Sequence, residues 1–219
     1  MKYMIHACPS RIWYVKEHLV PSMKAQGIAE DEIVVWNDIE GKGNLFSCME
    51  SFESCGWQEG GTWHLQDDVI ISRDFAEKTR EHDDGIVCGF ACQNFGPSMQ
   101  EKGTVPAVFM WYSFQCIRIP NKLAGECADW FYDDAMKRPQ NGGRIVDRKH
   151  DDWFWREFIL ERHKDLFVHN LTPNIVDHVD QLIGGTLINK QRHLQNNRAA
   201  FFRDKDLVDE LMKQLKQNR

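Results

Sequence analysis

Between residues 3 and 90 the chain alternates short apolar runs with stretches of helical periodicity, and this alternation restricts the fold more than any other feature. Tyr3-Met4-Ile5-His6-Ala7-Cys8 reads as a strand. Ile12, Val15 and Leu19 then recur at helical spacing, with Ser10 as the expected N-cap, Pro21 as a kink or end, and Gly27 as the stop. Ile33-Val34-Val35-Trp36 is a continuous apolar run of the kind that buried parallel strands carry. Leu45, Cys48, Met49 and Phe52 mark a second helix. Residues 62–65 form a third strand, which runs into Asp67 and Asp68 and stays extended through Val69-Ile70-Ile71. Residues 86–90 are a fourth. This order predicts an α/β fold, with a mixed, mainly parallel sheet flanked by helices. Open sheets of this kind bind ligands at the carboxyl ends of their strands, which is where Asp38, Asp67 and Asp68 fall.

The second half is more mixed. Residues 108–112 and 115–119 read as an antiparallel pair. A helix over 121–137 carries Leu123, Cys127, Trp130 and Phe131 on one face, and another over 152–163 carries Trp155, Phe158 and Ile159. Leu166-Phe167-Val168 is a strand, and residues 206–215 form an amphipathic helix through Leu207, Leu211 and Leu215. With no repeat and no linker, 1–219 reads as one domain.

Composition narrows the function classes. Hydrophobic residues make up 42% and charged residues 27% of the chain, a globular balance. A net charge of −6 excludes bulk electrostatic binding to nucleic acid, so such a partner needs a local basic patch. The longest apolar runs are too short to span a bilayer, and residues 1–8 lack a secretory signal. Seven cysteines without a Cys-x-x-Cys pair point to free thiols in a reducing cytoplasm. Cys88 and Cys92 match no common zinc spacing.

Two adjacent carboxylates at a strand end are difficult to bury without compensation, and a divalent cation supplies it. A solvated turn is the plainer reading of the same pair. The segment Trp63-His64-Leu65-Gln66-Asp67-Asp68-Val69 resembles the acidic metal motif of GT-A glycosyltransferases, with Gln66 where the first acid often stands. Three further segments resemble that family in the same order: Pro9-Ser10-Arg11 after the first strand, Asp38 closing the second, and Pro173-Asn174-Ile175-Val176-Asp177-His178 late in the chain. The resemblance covers roughly residues 3–180. It implies an enzyme that uses Mn²⁺ or Mg²⁺ and a nucleotide-sugar, a UDP-sugar first among them. Asp68 and His178 would hold the metal. Pro9, Ser10, Arg11, Asp38 and Asp67 would bind the donor, with Arg11 neutralising the departing diphosphate. Each also has an ordinary reading: Arg11 as a surface charge, His178 as a structural histidine, Asp38 as a turn residue.

A second acidic pair, Asp151-Asp152, opens the helix that carries Trp155. Acids are favoured there by the cap and the dipole. The resemblance implies in addition a general base for the acceptor hydroxyl, Asp152 first and Asp151 next. The resemblance implies a nucleotide-sugar-binding half over about 1–96 and an acceptor-binding half over about 97–219. Through viral members, at work in a host cytoplasm, it suggests a hydroxymethylated pyrimidine in phage DNA as acceptor, which the basic stretches 137–149 and 190–203 and the tryptophans would suit. Core tryptophans and solvated loops are the plainer reading of the same residues, and a bacterial surface glycan is the alternative acceptor. Two other functions stay open. A nucleotidyltransferase would share sheet, metal and nucleotide, although the Gly-rich basic loop usual in that class is missing after the first strand. A non-catalytic nucleotide-binding module is the other.

Overall fold

The computed structural model describes residues 1–91, 103–107, 114–133, 151–184, 198–199 and 201–217. The elements that matter for the site start with strand β1 (Lys2–Ala7). Helix α1 (Ile12–Tyr14), a π-helical turn (Val15–Leu19) and α2 (Val20–Ala25) follow as one continuous helical segment. Strand β2 (Ile33–Asn37), helix α3 (Asn44–Gly56) and strand β3 (Gly61–Gln66) complete the first alternation. Next come β4 (Val69–Ile71), α4 (Phe75–Glu81), β5 (Ile86–Cys88), β6 (Gly103–Pro106), β7 (Cys116–Pro120) and α5 (Asn121–Asp133). Helix α6 (Asp151–Arg162), β8 (Phe167–Asn170), β9 (Val176–His178) and α7 (Lys205–Gln217) close the chain.

Seven strands form one sheet in the order β2-β1-β3-β7-β5-β8-β6. The pairs β1–β2, β1–β3 and β5–β8 are parallel. Strands β7 and β6 run against their neighbours, so five of the seven strands share a direction. The sheet is therefore mixed and mainly parallel, with helices on both faces, and the fold class is α/β. Side-chain alternation sorts the core onto the two faces. Tyr3, Ile5, Trp63, Leu65, Val87 and Cys116 pack with the α1–α2 segment, Phe75 and the α7 residues Val208 and Leu211. Ile86, Cys88, Ile117 and Ile119 pack with α3, α5 and α6. Helices α3 and α5 meet at Gly56 and Gly125, where a Cβ on Gly56 would stand 2.6 Å from the Gly125 Cα.

Several expectations change. The run Ile33–Trp36 is parallel, as its composition predicts, but it is not buried. It lies at the sheet edge, and Val34 and Val35 are each 37% exposed. Ser10 does not cap the first helix: Arg11 occupies that position, without a side-chain cap, and Ser10 Oγ lies 3.2 Å from Cys8 Sγ. Pro21 neither ends nor breaks the helix. It has no N–H to donate, and it sits at the start of α2 directly after the π turn, whose wider hydrogen bonding accommodates a disrupted ladder. Val69–Ile71 leaves the large sheet and pairs antiparallel with β9. Strand β7 pairs with β3 and β5, and the partner expected at 108–112 lies outside the described residues. Helix α4 escapes sequence reading because it is short and buries only Phe75, Ala76 and Thr79.

Candidate functional site

The carboxyl ends of β1, β2 and β3 lie side by side, since β1 pairs in register with both others. After β3 the chain turns at Asp67-Asp68 into β4, and β4 pairs with β9 so that Val69 stands opposite His178. Val179 N–H donates to the Asp68 carbonyl at 2.8 Å, and Tyr14 O–H donates to the Val69 carbonyl at 2.9 Å. The two-stranded ladder thus brings a residue from the end of the chain against one from its first third.

Four side chains converge there. Arg11 Nη1 donates to Asp67 Oδ1 at 3.1 Å and makes a shorter contact to Asp68 Oδ2. His178 Nε2 lies 3.1 Å from the same Asp68 oxygen. Asp67 Oδ2 accepts from the Cys8 amide at 2.8 Å, tying the acidic turn to the loop after β1. Arg11, Asp67, Asp68 and His178 are all buried. Their charges set one another. Burial alone would raise the Asp68 carboxyl, but His178 and Arg11 outweigh it and hold Asp68 well below the usual range. Burial and the neighbouring Asp68 charge push Asp67 up. Burial disfavours charge on His178, and Asp68 reverses that, raising it. Burial also opposes charge on Arg11, and Asp68 and Asp67 more than restore it.

The polar atoms of this cluster that are buried without a hydrogen-bond partner include Asp68 Oδ1 and His178 Nδ1. Buried polar groups are almost always satisfied, so an unpartnered carboxylate oxygen beside an imidazole fits a cation-binding position. The donor set is a carboxylate oxygen and an imidazole nitrogen, suited to Mn²⁺ or Mg²⁺ with remaining positions left to water and phosphate oxygens. No group of three or more His, Cys, Asp or Glu that could hold a metal ion occurs among the described residues. Arg11 is buried and not a surface charge, and its Nη1 is engaged by both aspartates, so it neutralises the acidic turn.

The other expected residues spread along the same edge. Pro9 and Ser10 are exposed in the loop after β1. Asp38 extends the β1–β2 ladder, its amide donating to the Ala7 carbonyl, but its carboxylate closes a turn. Oδ1 accepts from the Lys42 amide and Oδ2 from the Gly43 amide, both at 2.8 Å. Gly41 and Gly43 adopt φ values of +67° and +92°, which this tight loop requires of glycine. The Asp38 carboxylate is thus held by the amides of its own turn, not by the Arg11 cluster. Asp151 and Asp152 open α6, and Asn44 at the start of α3 hydrogen-bonds the Asp151 side chain. Helix α3 starts just past the end of β2, so this second acidic pair lies on the carboxyl side of the sheet. Asp151 is buried and Asp152 half-buried. Burial and the Asp152 charge push the Asp151 carboxyl up to about 7.

Among the acceptor-side expectations, the basic loop 137–149 lies outside the described residues, as does most of 190–203. Arg198 is described: its Nε donates to Asp177 Oδ2 at 2.7 Å, and Nη2 contacts the same oxygen. Trp63 and Trp155 are wholly buried and Trp130 nearly so, so these three serve the core, not base stacking. Sequence reasoning missed the pair His6 and His64, whose Nε2 and Nδ1 lie 3.0 Å apart behind the edge, packed against Phe52. Burial lowers His6 to about 4, and burial together with His6 holds His64 well below its ordinary value. It also missed Asp177 and Asp180, although the run Asp177-His178-Val179-Asp180 is itself a signal.

No protein-family model matches the chain, and no curated protein sequence does. Solved structures resemble it weakly, two of them as follows. One is a Drosophila β-1,4-galactosyltransferase 7 mutant in complex with manganese, UDP-Gal and xylobiose, at 12% identity and a TM-score of 0.42, covering 95% of this chain and 79% of that one. The other is a Bacillus anthracis protein described as a glucose-1-phosphate thymidylyltransferase, in complex with sucrose, at 11% identity and a TM-score of 0.37, covering 88% and 93%. Likenesses this distant do not speak to chemistry. Among the described residues no helix is long and apolar enough to cross a membrane.

Proposed function

We propose that the chain is a metal-dependent glycosyltransferase of the GT-A type, one domain over 1–219, moving a sugar from a nucleotide-sugar to an acceptor hydroxyl. The observation that carries this reading is the convergence of Asp67, Asp68, Arg11 and His178 at the carboxyl edge of the sheet, with Asp68 Oδ1 buried and unpartnered. Asp68 and His178 hold Mn²⁺ or Mg²⁺. When bound, the cation supplies positive charge for the leaving diphosphate. Arg11 keeps Asp68 ionised and fixes its orientation. The exposed Pro9–Ser10 loop, Asp67 and the Asp38 turn border the nucleotide.

Transfer with inversion needs a base for the acceptor. The hydroxyl oxygen bonds to the anomeric carbon, the bond from that carbon to the diphosphate oxygen breaks with its electron pair leaving on the phosphate, and the hydroxyl proton passes to a carboxylate. Asp152, the more accessible of its pair, takes that role. Asp151 beside it, raised to about 7, is placed to take it instead.

The test is a thermal-shift screen of UDP-, GDP- and CMP-sugars with Mn²⁺, followed by product analysis. Stabilisation by a UDP-sugar and release of UDP are expected. Diphosphate released from a nucleoside triphosphate would make the protein a nucleotidyltransferase, and no ligand response at all would leave a non-catalytic module. For the acceptor, the reading is hydroxymethylated pyrimidine DNA with activity that falls steeply with salt. Transfer to a glycan and none to such DNA would replace that acceptor and leave the glycosyltransferase reading standing.

A further inference from the structure

We infer that Asp180 is a positioning residue that sets His178 for its metal, an inference that rests on the metal-dependent reading above. The two ring nitrogens of His178 face two different carboxylates. Nε2 lies 3.1 Å from Asp68 Oδ2, and Nδ1 lies 3.6 Å from Asp180 Oδ1. The His178 and Asp180 side chains are 6% and 7% exposed, so water does not screen the pair.

Asp180 follows β9 directly and opens a 3₁₀ turn over Asp180–Leu182. Its Oδ1 accepts from the Gln181 amide at 2.8 Å, which fixes the carboxylate's direction. No Lys or Arg among the described residues pairs with it. A buried carboxylate without a cationic partner is unfavourable unless its charge acts on something nearby. The group it faces is the His178 ring, whose Nδ1 has no hydrogen-bond partner of its own. From the opposite side, Asp68, itself held by Arg11, meets the Nε2 end of the ring, and Phe90 packs edge-on against it with centroids 6.3 Å apart.

The chemistry gives the arrangement a purpose. A neutral imidazole offers Nε2 to a cation only as the tautomer that carries its proton on Nδ1. A carboxylate at Nδ1 stabilises that tautomer and holds the ring plane, and it makes Nε2 a better donor. At 3.6 Å the Nδ1–Asp180 contact is longer than a hydrogen bond. A ring movement of about 0.7 Å closes it to ordinary length. Asp68 and Asp180 thus grip opposite ends of one imidazole. Asp68 shares the metal with His178, and Asp180 decides which nitrogen is available.

The experiment is a Mn²⁺ titration followed by electron paramagnetic resonance, with UDP present, on the parent, Asp180→Ala and Asp180→Asn. It is paired with ¹⁵N NMR of the histidine rings with Mg²⁺ and UDP. Asp180→Ala is expected to bind Mn²⁺ about 10- to 100-fold more weakly than the parent, while the parent's Nδ1–H signature of His178 is lost or mixed with the other tautomer. Asp180→Asn, which keeps an acceptor oxygen for the Gln181 amide, serves as the second variant if Asp180→Ala does not fold, and is expected to weaken Mn²⁺ in the same direction. Equal Mn²⁺ affinity and an unchanged tautomer signature in the folded variants would overturn the role of Asp180 and leave the metal-dependent reading intact. A parent that binds no Mn²⁺ with UDP would overturn both.

Discussion

His178 Nε2 and Asp68 Oδ2 stand 3.1 Å apart because β4 and β9 pair with Val69 opposite His178. One antiparallel ladder of three residue pairs sets the position of both proposed metal ligands. The same Asp68 oxygen also receives Arg11, so three elements far apart in the chain meet at one atom.

Arg11 is the intrinsic counter-charge of the acidic turn. Replacing it with Met leaves the buried Asp67–Asp68 turn with His178 alone as its cationic neighbour, which costs about 3–5 kcal/mol of stability in metal-free protein. A divalent cation can take over the neutralisation. Chemical denaturation of Arg11→Met with and without Mn²⁺ should show a larger metal-induced gain than in the parent. An equal gain in the two proteins would argue against a cation at this turn.

Asp68→Ala should abolish metal-dependent donor binding, measured by calorimetry with a UDP-sugar and Mn²⁺. It also removes the counter-charge of Arg11 and His178, so the melting temperature of the metal-free protein should fall. Tight Mn²⁺-dependent donor binding by this variant would exclude Asp68 as a ligand.

Asp152→Asn should lower turnover by roughly 10²-fold with little change in donor affinity, since an amide cannot accept the proton. Full activity would move the base to Asp151. Asp151 has its own stability signature. Its carboxyl sits at about 7 in the folded protein against 3.8 ordinarily, so between those values the unfolded chain holds fewer protons than the folded one. Stability therefore declines as pH rises through that window. The melting temperature of Asp151→Asn relative to the parent should rise from pH 5 to pH 7.5; a constant difference would show that Asp151 ionises normally.

The His6–His64 pair acts in the opposite sense. Burial lowers His6 to about 4, below its ordinary 6.5, so the unfolded chain takes up protons first as pH falls. Stability present above pH 6.5 is lost towards pH 4. The double replacement of His6 and His64 by Leu should flatten the melting-temperature profile between pH 7 and pH 5. An unchanged slope would place the acid sensitivity elsewhere.

Arg198→Ala tests whether Arg198 belongs to the fold or to an acceptor surface. Asp177 is buried and accepts from Arg198 and from the amides of His178 and Ala199. Losing the guanidinium should destabilise the protein by about 3 kcal/mol. An unchanged denaturation midpoint together with weakened DNA binding would restore the acceptor role.

The alternation of residues 3–90 determined the α/β class by itself, because period-2 and period-3.6 patterns record which side of each element faces a core. Tyr3, Ile5, Trp63 and Leu65 all point to one face, as that pattern implies. The pairing of Asp67 with Asp68 was legible too, since two acids between apolar runs need an explanation wherever they fall. Only the tertiary structure decided what answers them. Whether Ile33–Trp36 lies inside or at the edge depends on which strand becomes its neighbour, and an apolar run reads the same in either place. Whether Arg11 faces solvent, phosphate or carboxylate depends on a turn more than fifty residues away. The roles of Asp177 and Asp180 likewise depend on contacts their local sequence does not encode: Arg198 folded back onto one, the His178 ring facing the other. Local periodicity carries burial, whereas an ion-pair network is defined by distances between side chains remote in sequence, and folding alone sets those.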